Sequence, residues 1–246
     1  MAAGSPANFS ALLRRQRSFD HPKARMDAKI EEYKRYASTI ARGGPLTPPE
    51  RAQAWERVKW VIDILVHVIE DQNAGKRGSR VNIPIEMKAL TASIVNTIQT
   101  KSRNGSEFVY QEYTRILHEH LTQTVLASIR AKSGHAKLVE FAQRWENHKI
   151  MSEVMRVFFL EVDSSFITGL PSPPHKRSLP SLSAVALIEF KSVLVDAAAL
   201  ADLQQTMLGI IAEHRRKGAM DDDGSTLLKA TAEIFYTLGL TVSFSF

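Results

Sequence analysis

The sequence predicts an all-α fold. Apolar residues recur at i, i+3, i+4 and i+7 through most of the 246 residues, the mark of helices with one buried face. The breaks between these stretches are Gly, Pro and Asn-Gly turns, and no pair of alternating strands is evident. A hydrophobic content of 44% is enough for a sizeable core. No apolar run is long enough to span a bilayer; the richest, Trp60 to Ile69, carries Asp63 and His67.

In chain order, residues 1–19 hold no acid and include Arg14, Arg15 and Arg17, a composition shared by organelle transit segments and disordered tails. Asp27 to Arg42 is dense in charge and reads as a short exposed helix, ended by Gly43-Gly44-Pro45 and Pro48-Pro49. Residues 1–49 are therefore expected to form a basic, disordered extension. A helix from Glu50 to Asp71 follows, with Trp55, Val58, Ile62, Leu65, Val66 and Ile69 on its stripe. Asn73 to Ser79 is a basic loop. Pro84 suits a first helical turn, so Glu86 to Gln99 is the next helix, with Met87, Leu90, Ile94, Val95 and Ile98 inward. After Asn104-Gly105, with Ser106 as N-cap, one amphipathic helix runs to Ala131. The next runs from Lys137 to Ile167, with a bend expected near Asn147. Residues 168–180 are a Pro-rich basic loop. Ser181 or Ser183 caps a helix reaching about Arg216, bent or closely packed at Ala197 to Ala201. A last helix spans Ser225 to Leu238 and Gly239 ends it, leaving 241–246 as a tail.

Charge divides the chain. Residues 1–49 carry nine Lys or Arg against four Asp or Glu; the rest carries 23 against 22. A near-neutral body argues against a nucleic-acid groove in the fold, while the basic extension could bind anionic surfaces weakly. The absence of cysteine excludes disulfides and thiolate metal sites and fits a reducing compartment, cytoplasm or nucleus. Catalytic patterns are missing. His118 and His120 stand two apart, about 200° around a helix, and cannot chelate one ion. Asp221 to Gly224 lacks the alternation of a calcium loop. Phosphate-loop, dinucleotide and nucleophile-elbow patterns do not occur. The reading is a non-enzyme without cofactor or metal.

One stretch carries a resemblance. Trp145-Glu146-Asn147-His148-Lys149, followed by Met151, Phe158-Phe159, Asp163 and Phe166, resembles the first-repeat segment of a plant-type cullin. Arg177-Ser178-Leu179-Pro180, Phe190 to Leu194 and Ile234 to Leu240 resemble the same family in register, as do Leu90 to Asn96 and Val109 to Tyr113. The resemblance covers residues 50–240. It implies a cullin-repeat bundle, one five-helix repeat plus the start of a second, within a ubiquitin-ligase scaffold of ubiquitin-dependent protein catabolism.

It further implies a docking face for a Skp- or BTB-type substrate adaptor, made by the second and fifth helices of the repeat. The corresponding positions are Met87, Lys88, Thr91 and Val95, and Met151, Val154, Phe158, Glu161 and Val162. Thr91 and Val95 stand where cullins commonly carry tyrosine, Val154 replaces a tryptophan, and Leu160-Glu161 replaces a tyrosine pair. Such anchors are each worth about 2 kcal/mol or more, so adaptor binding is expected to be weakened or redirected. The resemblance also implies that the chain stops inside the second repeat, before the C-terminal domain that recruits the RING subunit and carries the modified lysine. Nucleic acid and membrane are not expected as partners. Two alternatives remain open: a helical protein binding anionic partners through residues 1–49, and a degenerate truncated copy without ligase function.

Overall fold

The computed structural model describes residues 22–73, 83–167, 179–196, 198–217 and 222–240. These form helices α1 (Pro22–Arg42), α2 (Pro48–Asn73), α3 (Ile85–Lys101), α4 (Gly105–His120), α5 (Leu126–Arg130), α6 (Gly134–Phe158), α7 (Leu182–Asp196), α8 (Ala199–Lys217) and α9 (Asp222–Thr237). π-Helical turns at Leu121–Val125 and Val162–Ile167 follow α4 and α6. Among the described residues there is no strand; a single bridge joins Leu46 to Ser102. The expected segments 1–19, 168–178 and 241–246, with most of the basic loop after Asn73, lie outside the described residues.

The helices enclose two cores, and α6 and α7 contribute to both. The first core gathers buried residues of α1, α2, α3, α4, the C-terminal half of α6 and the start of α7. Its centre is aromatic: Trp55 meets Phe108 and Phe159 at 5.7 and 6.1 Å, and Tyr113 meets Phe159 at 5.2 Å. The second core gathers the turn at Leu121–Val125, α5, the N-terminal half of α6, and buried residues of α7, α8 and α9. There Phe141 packs on Phe190 and Phe235, and Trp145 lies 5.0 Å from Phe190. Each such ring removes 150–250 Å² from water at roughly 25 cal/mol per Å², which makes these clusters the largest local contributions to the fold.

Residues 22–49 differ from the expected disordered extension. Ile30, Tyr33, Ala37 and Ile40 share one face of α1 and are buried in the first core. The Tyr33 hydroxyl donates to the Arg57 carbonyl at 2.8 Å, and Lys34 pairs with Glu86 of α3 at 2.6 Å. The charged residues alternate around that face and hide its period. The prolines before α2 also act otherwise than expected. Thr47 is the N-cap, Pro48 fills the first helical position, and the Glu50 carboxylate accepts from the Thr47 amide (2.8 Å) and hydroxyl (2.6 Å). The prolines open the helix instead of interrupting the chain.

Further boundaries shift for local reasons. The cap of α4 is Asn104, at φ 56°, and not Ser106. Gly105 beside it has no room for a side chain, since a Cβ there would sit 2.1 Å from the Ile98 carbonyl oxygen. The helix through Asn147 is unbroken to Phe158. It ends there, before the expected Ile167, because the Phe159 backbone (φ −110°, ψ 15°) leaves helical geometry. Ser181 does cap α7, its Oγ accepting from Ala184 N at 3.2 Å. That helix stops at Asp196, and Ala198 at φ 53° turns the chain into α8. Gly239, at φ 61°, closes α9. Its amide donates to Tyr236 O and that of Leu240 to Phe235 O, both at 2.9 Å, a Schellman ending.

Candidate docking face

Two helices position the candidate face, α3 and α6. α6 is held against α2 by charge: Arg144 forms hydrogen-bonded ion pairs with Glu70 of α2 and with Glu140 of its own helix (2.7 Å). Glu70 beside Arg144 and Trp55 beside Phe159 make α2 antiparallel to α6. α3 is tied to the end of α6 by Gln99, whose Nε2 donates to Ser165 Oγ at 2.7 Å and Glu161 O at 3.3 Å. Asp163 accepts from Leu182 N at 2.9 Å, and the hydroxyls of Tyr110 and Tyr113 donate to Pro180 O and Leu182 O. These bonds fix the start of α7 against the same end of α6.

Most residues expected at the docking face are internal. Met87, Thr91, Val95, Met151, Phe158 and Val162 are buried within the first bundle, and Thr91 is fully enclosed, its hydroxyl bonded to Met87 O at 2.7 Å. As packed, they cannot touch a partner. Lys88 and Val154 are half-buried, and Glu161 is exposed. Of the expected residues only Lys88, Val154 and Glu161 reach the surface; the others point inward. The inward positions of α6 carry Met151, Met155 and Phe158, while Ile150 and Val157 point outward and Leu160 follows just past the helix end; the three are 43%, 51% and 55% exposed. With Val154 and Glu161, Ile150 and Val157 follow i, i+4, i+7 and i+11 along one side. On α3, Lys88 and Ala92 are half-buried and Asn96 is exposed, one residue round from the buried Thr91 and Val95.

Charged groups flank the ridge. Glu153 pairs with Arg156 at 3.3 Å and Lys149 with Glu146 at 2.8 Å; all four are exposed. Beside it a mostly apolar cleft of about 260 Å³ opens between α6 and α7, lined by Trp145, His148, Ser152, Ser183, Ala186 and Leu187 with Lys149 and Glu153. His148 at its base hydrogen-bonds the Ala186 carbonyl through Nε2 at 3.0 Å, so that nitrogen carries the proton. Burial pushes the imidazole down to about 4, and it is neutral near pH 7. Nearby His120 is lowered by burial as well. Among the described residues no three His, Cys, Asp or Glu side chains gather as a metal site, and no helix is long and apolar enough to cross a membrane. What the surface offers is an apolar centre with a polar rim, the form of a protein-docking patch.

Two packed helical bundles that share α6 and α7 define the class: an α-solenoid. Residues 79–244 match the cullin α-solenoid domain, and the chain belongs to the cullin family. It is 30% identical to Cullin-1 of Oryza sativa subsp. japonica over 189 residues, covering 77% of this chain and 23% of that protein. It is 28% identical to Cullin-2 of Arabidopsis thaliana over 158 residues, 64% of this chain and 20% of that one. With Cullin-like protein 3 of Arabidopsis thaliana it shares 25% identity over 187 residues, 76% of this chain and 66% of the relative. The chain thus spans less than a quarter of the two full cullins, within the part that holds the solenoid.

Proposed function

We propose that this chain is a non-catalytic cullin-like scaffold that docks a Skp- or BTB-type substrate adaptor in a ubiquitin-ligase pathway of the cytoplasm or nucleus. One observation carries this reading: the solvent-facing Ile150 and Val157 of α6, with Leu160 just past its end, belong to one of the two helices by which the family resemblance implies adaptor contact. Exposed apolar side chains gathered towards one end of a helix are costly to leave in water and give a partner its central contacts. Lys88 and Asn96 on α3, with Glu153 and Glu161 on α6, supply the polar rim. Without aromatic anchors on the ridge, the expected affinity is micromolar.

Titration calorimetry of the purified chain with purified Skp-type and BTB-type adaptors tests the reading, with Val157→Glu as the control. Binding that the control abolishes supports it. No heat with either adaptor at tens of micromolar would remove it.

A further inference from the structure

Helix α1 lies outside the matched segment, yet it packs along one of the two proposed docking helices. The family match begins at residue 79, whereas α1 ends at Arg42. α1 runs in the same direction as α3 and touches it near both ends. Lys34 pairs with Glu86 at the N-terminal end of α3 (2.6 Å). At the other end Lys101 Nζ donates to the carbonyls of Ile40, Ala41 and Gly43, at 3.2, 2.5 and 2.7 Å, and so caps the C-terminus of α1. Ile30 and Tyr33, just before the first clamp, and Ala37 and Ile40, after it, are buried. On the α2 side, the Lys29 ammonium lies 5.1 Å from the Trp60 ring and the Arg57 guanidinium 3.7 Å from the Tyr36 ring.

The consequence for α3 is exposure limited to a narrow strip. Ala89, Ser93, Asn96 and Thr100 face solvent on it, all small or polar, with Ile85 at its start. Leu90, half-buried, packs against the first core that α1 helps to close. A helix offering only such a strip gives a partner little to bury. We propose that α1 is an intrachain cover of the docking helix: it occupies the flank of α3 that a partner would otherwise use, and its release enlarges the adaptor face. The proposal rests on the adaptor-docking reading and adds regulation to it. A face open in only a fraction of molecules binds with its affinity reduced by that fraction. A cover closed in nine molecules of ten therefore weakens binding about tenfold, and a tighter cover weakens it more.

The test uses the full chain in two altered forms. In the first, Ile30→Glu with Tyr33→Ala denies α1 its buried contacts; retention of the cooperative melt of the remaining helices shows that the bundle stands. In the second, Lys34→Cys with Glu86→Cys are bridged by a bismaleimide, which reacts at those positions alone because the natural chain has no cysteine. Both side chains are exposed enough to react. Expected is adaptor binding about tenfold or more tighter for the released form, and no tighter than the unaltered chain for the bridged form. Equal affinities in all three forms, or weaker binding on release, would overturn the cover while leaving adaptor docking in place. Absence of binding in every form overturns the docking reading, and the cover with it.

Discussion

The Gln99 side chain donates to the Ser165 hydroxyl at 2.7 Å and thereby joins the two helices that flank the candidate face. The same amide reaches the Glu161 carbonyl at 3.3 Å, so one residue of α3 spans the turn that ends α6. Replacing Gln99 with Ala removes both bonds, at a cost of about 1 kcal/mol. The expected result is a melting temperature lower by about 2–4 °C, with adaptor affinity reduced as the two helices lose their fixed spacing. Differential scanning calorimetry with a parallel binding titration checks both effects.

Ridge and core residues one position apart should behave oppositely. Val157→Glu alters an exposed side chain and is expected to change stability by less than about 0.5 kcal/mol while removing adaptor binding. Phe158→Ala, at the neighbouring buried position, is expected to cost about 3–5 kcal/mol. Urea denaturation of both variants, read beside binding, separates a docking position from a packing position. Loss of stability at Val157 would contradict the outward assignment.

The lysine that caps α1 gives a local prediction. Lys101→Met removes three charge-assisted bonds to the carbonyls of Ile40, Ala41 and Gly43. Partial solvent exposure discounts them, leaving about 1–2 kcal/mol. Hydrogen exchange should rise along Ile30 to Ile40 with little change in α9, which belongs to the other core. Uniform loss of protection in both bundles would show the two cores to be one cooperative unit.

The neutral His148 makes stability depend on pH. Its folded value is about 4, below the usual imidazole value, so the unfolded chain binds a proton between about pH 6.5 and 4 that the folded chain does not. This contribution is intact above about pH 6.5 and is lost as pH falls toward 4. The depressed His120 adds to it with the same sign. The full effect of His148 is about 3 kcal/mol. Urea midpoints at pH 7.5 and pH 4.5 measure it, and His148→Gln should flatten the difference at some cost in absolute stability.

The all-helical architecture and most helix positions were legible in the sequence because each helix buries a stripe of apolar residues at regular spacing. The family was legible at Trp145 to Lys149 for a related reason. Trp145 and His148 pack with Phe190 in the second core, while Met151 and Phe158 belong to the first. A short run thereby serves both bundles. The face of α6 was not legible. Ile150, Val154 and Val157 are as apolar as Met151, Met155 and Phe158, so periodicity does not tell inside from outside. Residue-by-residue resemblance names Met87, Thr91, Val95, Met151, Phe158 and Val162, which the fold buries, together with Lys88, Val154 and Glu161, which it leaves accessible. The helix of α1 was legible but its burial was not: Ile30, Tyr33, Ala37 and Ile40 keep a helical spacing, but charge between them reads as solvent exposure. At Thr47 to Glu50 the capping pattern stands beside prolines that suit a chain break equally well.

The most direct test of the scaffold account is the binding of purified adaptor to the purified full chain, measured beside Val157→Glu and Leu160→Asp. The account predicts a saturable micromolar complex with a Skp- or BTB-type adaptor that either ridge substitution abolishes without altering the melting temperature. No complex at tens of micromolar, or a complex indifferent to both substitutions, would contradict it.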